Sequence, residues 1–110
     1  MSDTITLPAR PRLEPEERTR RQPPYHVILL DDDEHTFHYV VAMMLELFGH
    51  PPEKGFQIAE EVDRTGRAIV LTTSLERAEL KRDQIHAYGA DPLSSRNSSG
   101  SMRAEIEPAE

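Results

Sequence analysis

The sequence predicts one α+β domain with the element order βααβαβ, and three observations lead to it. Apolar residues between Phe37 and Phe48 recur at helical spacing. Two short runs, YHVILL and AIVLTT, have the length and side-chain type of strands. Near the C-terminal end, Met102, Ala104 and Ile106 alternate with Arg103, Glu105 and Glu107, the period of a half-buried strand.

Residues 1–24 hold five of the nine prolines, Pro8, Pro11, Pro15, Pro23 and Pro24, with charges of both signs and few large apolar side chains. Such a segment cannot bury enough surface to offset its ordering entropy, so it is expected to be a disordered extension preceding a domain over 25–109. Tyr25 to Leu30 reads as the first strand. From Thr36, an N-cap residue type, Phe37, Val40, Val41, Met44, Leu45 and Phe48 follow the i, i+3, i+4, i+7 pattern of an inward face, and Gly49 with Pro51 ends it. A second helix opens at Pro52 and carries Phe56, Ala59 and Val62 on one face until Gly66, with Gly55 as a mild local weakness. Arg67 to Thr73 is the second strand. Thr73 or Ser74 caps a third helix, Glu76 completing a capping box on Thr73. Leu75, Ala78, Ile85 and Tyr88 are its inward residues, and Glu76, Arg77, Lys81 and Arg82 stay outside. Gly89, Asp91 and Pro92 lead into a polar loop, SSRNSSGS, before the last strand.

Composition narrows the function. Of 110 residues, 20 are acidic and 13 are Lys or Arg, a formal net charge of -7, which argues against a partner held by phosphate contacts and so against nucleic acid. Without cysteine there are no disulfides, thiolate metal sites or cysteine nucleophiles. The apolar runs are too short to cross a bilayer and the first residues lack the apolar core of a signal peptide, so a soluble cytoplasmic protein is expected. No nucleophile, base and orienting residue stand at a recognisable spacing, and a small domain has little room to shield them; the expectation is a binding protein without a cofactor, not an enzyme.

The chemistry concentrates in ILLDDDEHTF, residues 28–37, where a strand runs into Asp31, Asp32, Asp33 and Glu34. Adjacent carboxylates repel, so the run either lies in water and caps the next helix through the positive end of its dipole, or holds a cation. A strand ending in paired Asp also opens receiver domains, but this chain is too short for five βα units and has Thr72 after its second apolar strand, where a receiver carries a phospho-accepting Asp. A hard metal ion on Asp31, Asp33 and Asp63 is the alternative that stays open. His35, His38 and His50 are expected on the surface.

The order of elements, with YHVILLDDD, EEVDRTGRAIV and SLERAELKRDQI, resembles the ClpS family of Clp protease adaptors, over 25–109. The resemblance implies a three-stranded antiparallel sheet packed against three helices. It also implies recognition of N-degron substrates, polypeptides with a free N-terminal Leu, Phe, Trp or Tyr. By family position, Asp31, Asp32, Asp33 and Asp63 would face the α-amine, and Phe37, Val40, Ala59, Val62 and Met102 would form the apolar walls. Where members commonly carry Asn and His, this chain has Asp31 and Asp63, and Ala59 replaces a Met. The wider wall extends the expected first residues to Ile and Val. Glu76 and Lys81 match positions that dock on the N-terminal domain of a ClpA- or ClpC-type AAA+ unfoldase, the N-terminal extension takes part in delivery, and the protein is expected to act as a monomer.

Overall fold

A computed structural model describes residues 22–32, 34–92 and 100–110. Its elements are β1 (Tyr25–Leu30), α1 (Phe37–Phe48), α2 (Pro52–Thr65), β2 (Arg67–Thr73), α3 (Leu75–His86) and β3 (Arg103–Pro108), the βααβαβ order read from the sequence. The strands form one antiparallel sheet in the order β2-β1-β3. The first strand by sequence is thus the central one, and its apolar run follows from that place: Val27, Ile28 and Leu29 have no exposed surface. Most of the extension and the stretch 93–99 of the polar loop lie outside the described residues.

Local chemistry sets the element ends. The Thr36 hydroxyl accepts the Tyr39 amide at the start of α1, and Gly49 closes that helix at φ 72°, a left-handed conformation that costs glycine nothing. Gly66 does the same for α2 at φ 93°. At α3 the cap is Ser74, whose hydroxyl accepts from the Arg77 amide. That shifts the register by one from a Thr73 cap, so Glu76 stands one residue too early for the capping box.

Val27, Leu29, Val40, Met43, Met44, Ile58, Val62, Ala78 and Ile85 meet in one core cluster. The inward faces differ from the sequence reading at particular positions. Tyr39 and Met43 are buried in α1, whereas Leu45 is 50% exposed; in α2, Ile58 is buried and Phe56 is 47% exposed. The apolar residues of α1 wrap more than one side of the helix, and contact with α2 and α3 decides which side is covered. Gly55 belongs to this contact. A Cβ there would lie 3.1 Å from the Val41 Cα, so the glycine permits a close backbone approach of α1 and α2.

The sheet edges are capped by imidazoles. Ile28 pairs with Ile69 and Val27 with Leu71, leaving Val70 in a bulge, and the Val70 carbonyl is met by His50 Nε2 at 2.8 Å. On β3, His86 Nε2 stands 3.1 Å from both the amide and the carbonyl of Ala104, groups that point away from β1. Lys81, expected in solvent, is half-buried: its ammonium donates to the Leu47 carbonyl and lies 5.4 Å above the Phe48 ring, closing the C-terminal end of α1.

The close approach at Gly55 makes a prediction. A Gly55→Leu variant gains helix propensity but must push α1 from α2, and the overpacking should win, with a net loss of about 2 kcal/mol in urea unfolding. An unchanged or higher midpoint would show that the two backbones can separate freely.

Candidate functional site

The carboxylate turn is fastened at its first residue. As β1 ends, the Asp31 amide donates to the Gly66 carbonyl at 3.1 Å, which ties the turn to the corner where α2 passes into β2. Asp63, exposed in the last turn of α2, lies three residues before that corner. Residues 31 and 63, far apart in sequence, therefore share one end of the sheet. Asp33 lies outside the described residues.

Asp32 is held more closely than the sequence suggested. Its Oδ1 accepts the Glu34 amide at 3.0 Å, and His35 Nδ1 stands 2.9 Å from Oδ1 and 2.8 Å from Oδ2. The other ring nitrogen of His35 reaches the Gly100 carbonyl at 2.7 Å, across 65 positions of sequence. The His35 side chain is 1% exposed and its ring lies 4.4 Å from that of Tyr39. This corrects the expectation of a surface histidine. His50 is also half-buried, while His38 is exposed as expected.

Next to it stands Asp91, a buried acidic residue at 4% exposure, whose Oδ2 accepts the Thr36 amide at 2.6 Å. The Tyr39 hydroxyl donates to the Gly89 carbonyl at 2.5 Å, and the Gly89 amide to Ser101 Oγ at 2.6 Å. The start of α1 is thereby fixed to both ends of the polar loop. Burial by itself lowers the pKa of His35, but the hydrogen bonds to Asp32 and Gly100 and the charges of Asp32 and Asp91 outweigh it, and the net displacement is upward. Burial is the main cause that raises Tyr39. Sequence reading missed His35, Tyr39 and Asp91; the one local signal was the three-residue spacing of Asp32 and His35 ahead of a helix cap.

Of the apolar wall residues, Val40 on α1, Ala59 and Val62 on α2, and Met102 before β3 meet in the core at 3, 2, 2 and 3% exposure. Phe37 is half-buried at the rim, edge-on to Phe56 with ring centroids 5.4 Å apart. An open groove of about 1100 Å³ runs along the outer faces of α1 and α2, lined among others by Phe37, Val41, Leu45 and Phe56, and shares only Phe37 with the expected walls. Glu76 is exposed in the first turn of α3, and Lys81 lies on the side of that helix that meets α1. Among the described residues no group of three or more His, Asp or Glu is placed to hold a metal ion, and no helix is long and apolar enough to cross a membrane.

Residues 20–95 match the model of the family described as ATP-dependent Clp protease adaptor protein ClpS. Among solved structures, the chain is similar to Agrobacterium tumefaciens ClpS2 bound to L-phenylalaninamide, with a TM-score of 0.68 and 23% identity over 80% of this chain and 99% of that one. That likeness establishes the fold. Among curated proteins none matches the sequence.

The His35 contacts carry a pH dependence with a definite sign. Because its pKa is raised above the ordinary 6.5, the folded state favours the protonated ring. The stabilisation is complete below that value and is lost as pH rises through the folded pKa. Proton NMR of the ring should give a midpoint above 6.5, and the fall in unfolding free energy on the alkaline side should be shallower in His35→Gln. Equal pH slopes in the two proteins would refute this.

Proposed function

Because the chain belongs to the ClpS family of ATP-dependent Clp protease adaptors, we propose that it binds the free α-ammonium and bulky apolar first side chain of N-degron polypeptides and delivers them to a ClpA- or ClpC-type unfoldase. The observation that carries the reading is the bond from the Asp31 amide to the Gly66 carbonyl, which brings the carboxylate turn and Asp63 to one corner of the fold. An α-ammonium titrates near ~8 and has three donors, whereas an internal amide has no charge and one; converging acceptors separate the two. L-phenylalaninamide, the compound bound in the similar ClpS2, has the same two features, a free α-amine and an apolar side chain.

Asp31, Asp32, Asp33 and Asp63 supply the acceptors in this reading, and Phe37, Val40, Ala59, Val62 and Met102 the walls. Since four of the walls are buried in the core, the first side chain enters at Phe37, which stands half-buried at the rim against Phe56. Asp63 brings a charge where relatives use a neutral imidazole lone pair. The grip on the amine is then more electrostatic and more sensitive to salt.

Fluorescence anisotropy with peptides starting in Leu or Phe tests this. Free peptides should bind and N-acetylated ones should not, since the cap removes the charge and leaves carboxylates without their partner. Asp63→His should flatten the salt dependence. With Ala59 in the wall, Ile- and Val-initiated peptides should bind the natural protein about fivefold more tightly than an Ala59→Met variant. Equal binding of capped and free peptides would remove the reading.

Docking on the unfoldase is assigned to the α3 surface at Glu76 and Lys81. Because the Lys81 ammonium also closes the end of α1, its reversal confounds docking with folding, and the cleaner variant is Glu76→Lys. Ordinary surface changes stay within ~0.5 kcal/mol. Interferometry against the unfoldase N-terminal domain should show a clearly larger loss for Glu76→Lys with peptide binding intact; unchanged association would place the interface elsewhere.

A further inference from the structure

We propose that His35 is a positioning residue of the ammonium site: its imidazole fixes the Asp32 carboxylate so that one oxygen remains directed at the ligand. The inference rests on the reading of the acidic turn given above.

The contacts of the ring define its state. Nδ1 faces the Asp32 carboxylate at 2.8 to 2.9 Å and Nε2 faces the Gly100 carbonyl at 2.7 Å. Both partners are acceptors. A neutral imidazole has only one N–H, so both contacts are hydrogen bonds only when the ring is imidazolium and donates at each end. With its side chain 1% exposed, the ring cannot exchange these partners for water without leaving its place.

The carboxylate is thereby divided. Among the described residues, Oδ1 accepts the Glu34 amide as well as the ring, while Oδ2 meets the ring alone and keeps acceptor capacity. The Asp32 side chain is 17% exposed, so this capacity is reachable from solvent. The imidazolium also cancels the charge of Asp32. Asp32 then acts through direction, as an oriented acceptor, and the long-range attraction for a cation comes from Asp31 and Asp63. Gly100, bonded to the far side of the ring, prevents the pair from rotating as a unit.

Removing His35 has two opposed effects. A released carboxylate attracts an ammonium more strongly over distance, yet it no longer points at it. At the ionic strength of ordinary buffers the first effect is screened at a partly exposed site, and the directional loss prevails. The change should appear in amine recognition and spare the apolar walls.

The experiment compares the natural chain with His35→Ala and His35→Gln by anisotropy, using a free Leu-initiated peptide, its acetylated form and a free Ala-initiated peptide, at two salt concentrations. Gln fills most of the ring's volume, but both of its donors leave one nitrogen and do not reproduce the two separate ring donors that face Asp32 and Gly100, so it carries the test if the Ala variant does not fold. The free-over-capped ratio should fall about tenfold in the variants, with a steeper salt dependence and the Leu-over-Ala preference unchanged. A ratio kept at the natural value would overturn the proposal, as would a parallel fall of both preferences, which marks a general loosening. If the natural chain itself fails to separate free from capped peptide, the ammonium reading falls and the proposal with it, an outcome visible without any variant.

Discussion

His35 stands between the carboxylate of Asp32 and the carbonyl of Gly100 with its side chain 1% exposed, and so joins the acidic turn to a segment 65 positions away. Neighbouring carboxylates in a short connection repel, and left alone they would spread into solvent. The His35 ring beside Asp32, held from its far side by Gly100, is placed to offset part of that repulsion. Beside it the Asp31 amide bonds to Gly66, and Thr36 begins α1 against Asp91. Tertiary contacts thus tie this stretch to distant segments at three points, Gly66, Asp91 and Gly100.

That arrangement explains what could and could not be read from the chain. β1 was legible because a central strand buried on both faces must be a continuous apolar run, and YHVILL is one. The length and ends of α1 followed from Thr36 and Gly49. Its inward face did not: FHYVVAMMLELF offers apolar residues around most of the helix, so spacing alone cannot choose Tyr39 and Met43 over Leu45. Gly55 read as a weakness because propensity is a local quantity, whereas its use is a contact with Val41 on another helix. For the site, Asp31 and Asp63 were named from family position. His35 was passed over since its partner Gly100 lies 65 positions away and no local pattern records such a contact.

The residues named as pocket walls also illustrate how a small domain economises on side chains. Val40, Ala59, Val62 and Met102 are part of the same cluster as Val27 and Leu29, so substitutions at these positions change the packing on which stability rests. Phe37 and Phe56 at the rim are less constrained, being half-buried and exposed, and can be substituted at a smaller cost in stability.

The two edge histidines have a consequence of another kind. A three-stranded sheet leaves the outer backbone of its flanking strands available as a template, and any extended chain, including an unfolded client held nearby, can zip onto it by main-chain hydrogen bonds regardless of sequence. In this fold the carbonyl at the Val70 bulge already faces His50, and the outward amide and carbonyl of Ala104 already face His86. An intruding strand must first evict an imidazole and straighten a bulge. With these groups engaged, fewer backbone positions are open for an extended chain to zip onto either edge, which limits indiscriminate strand capture and amyloid-like stacking.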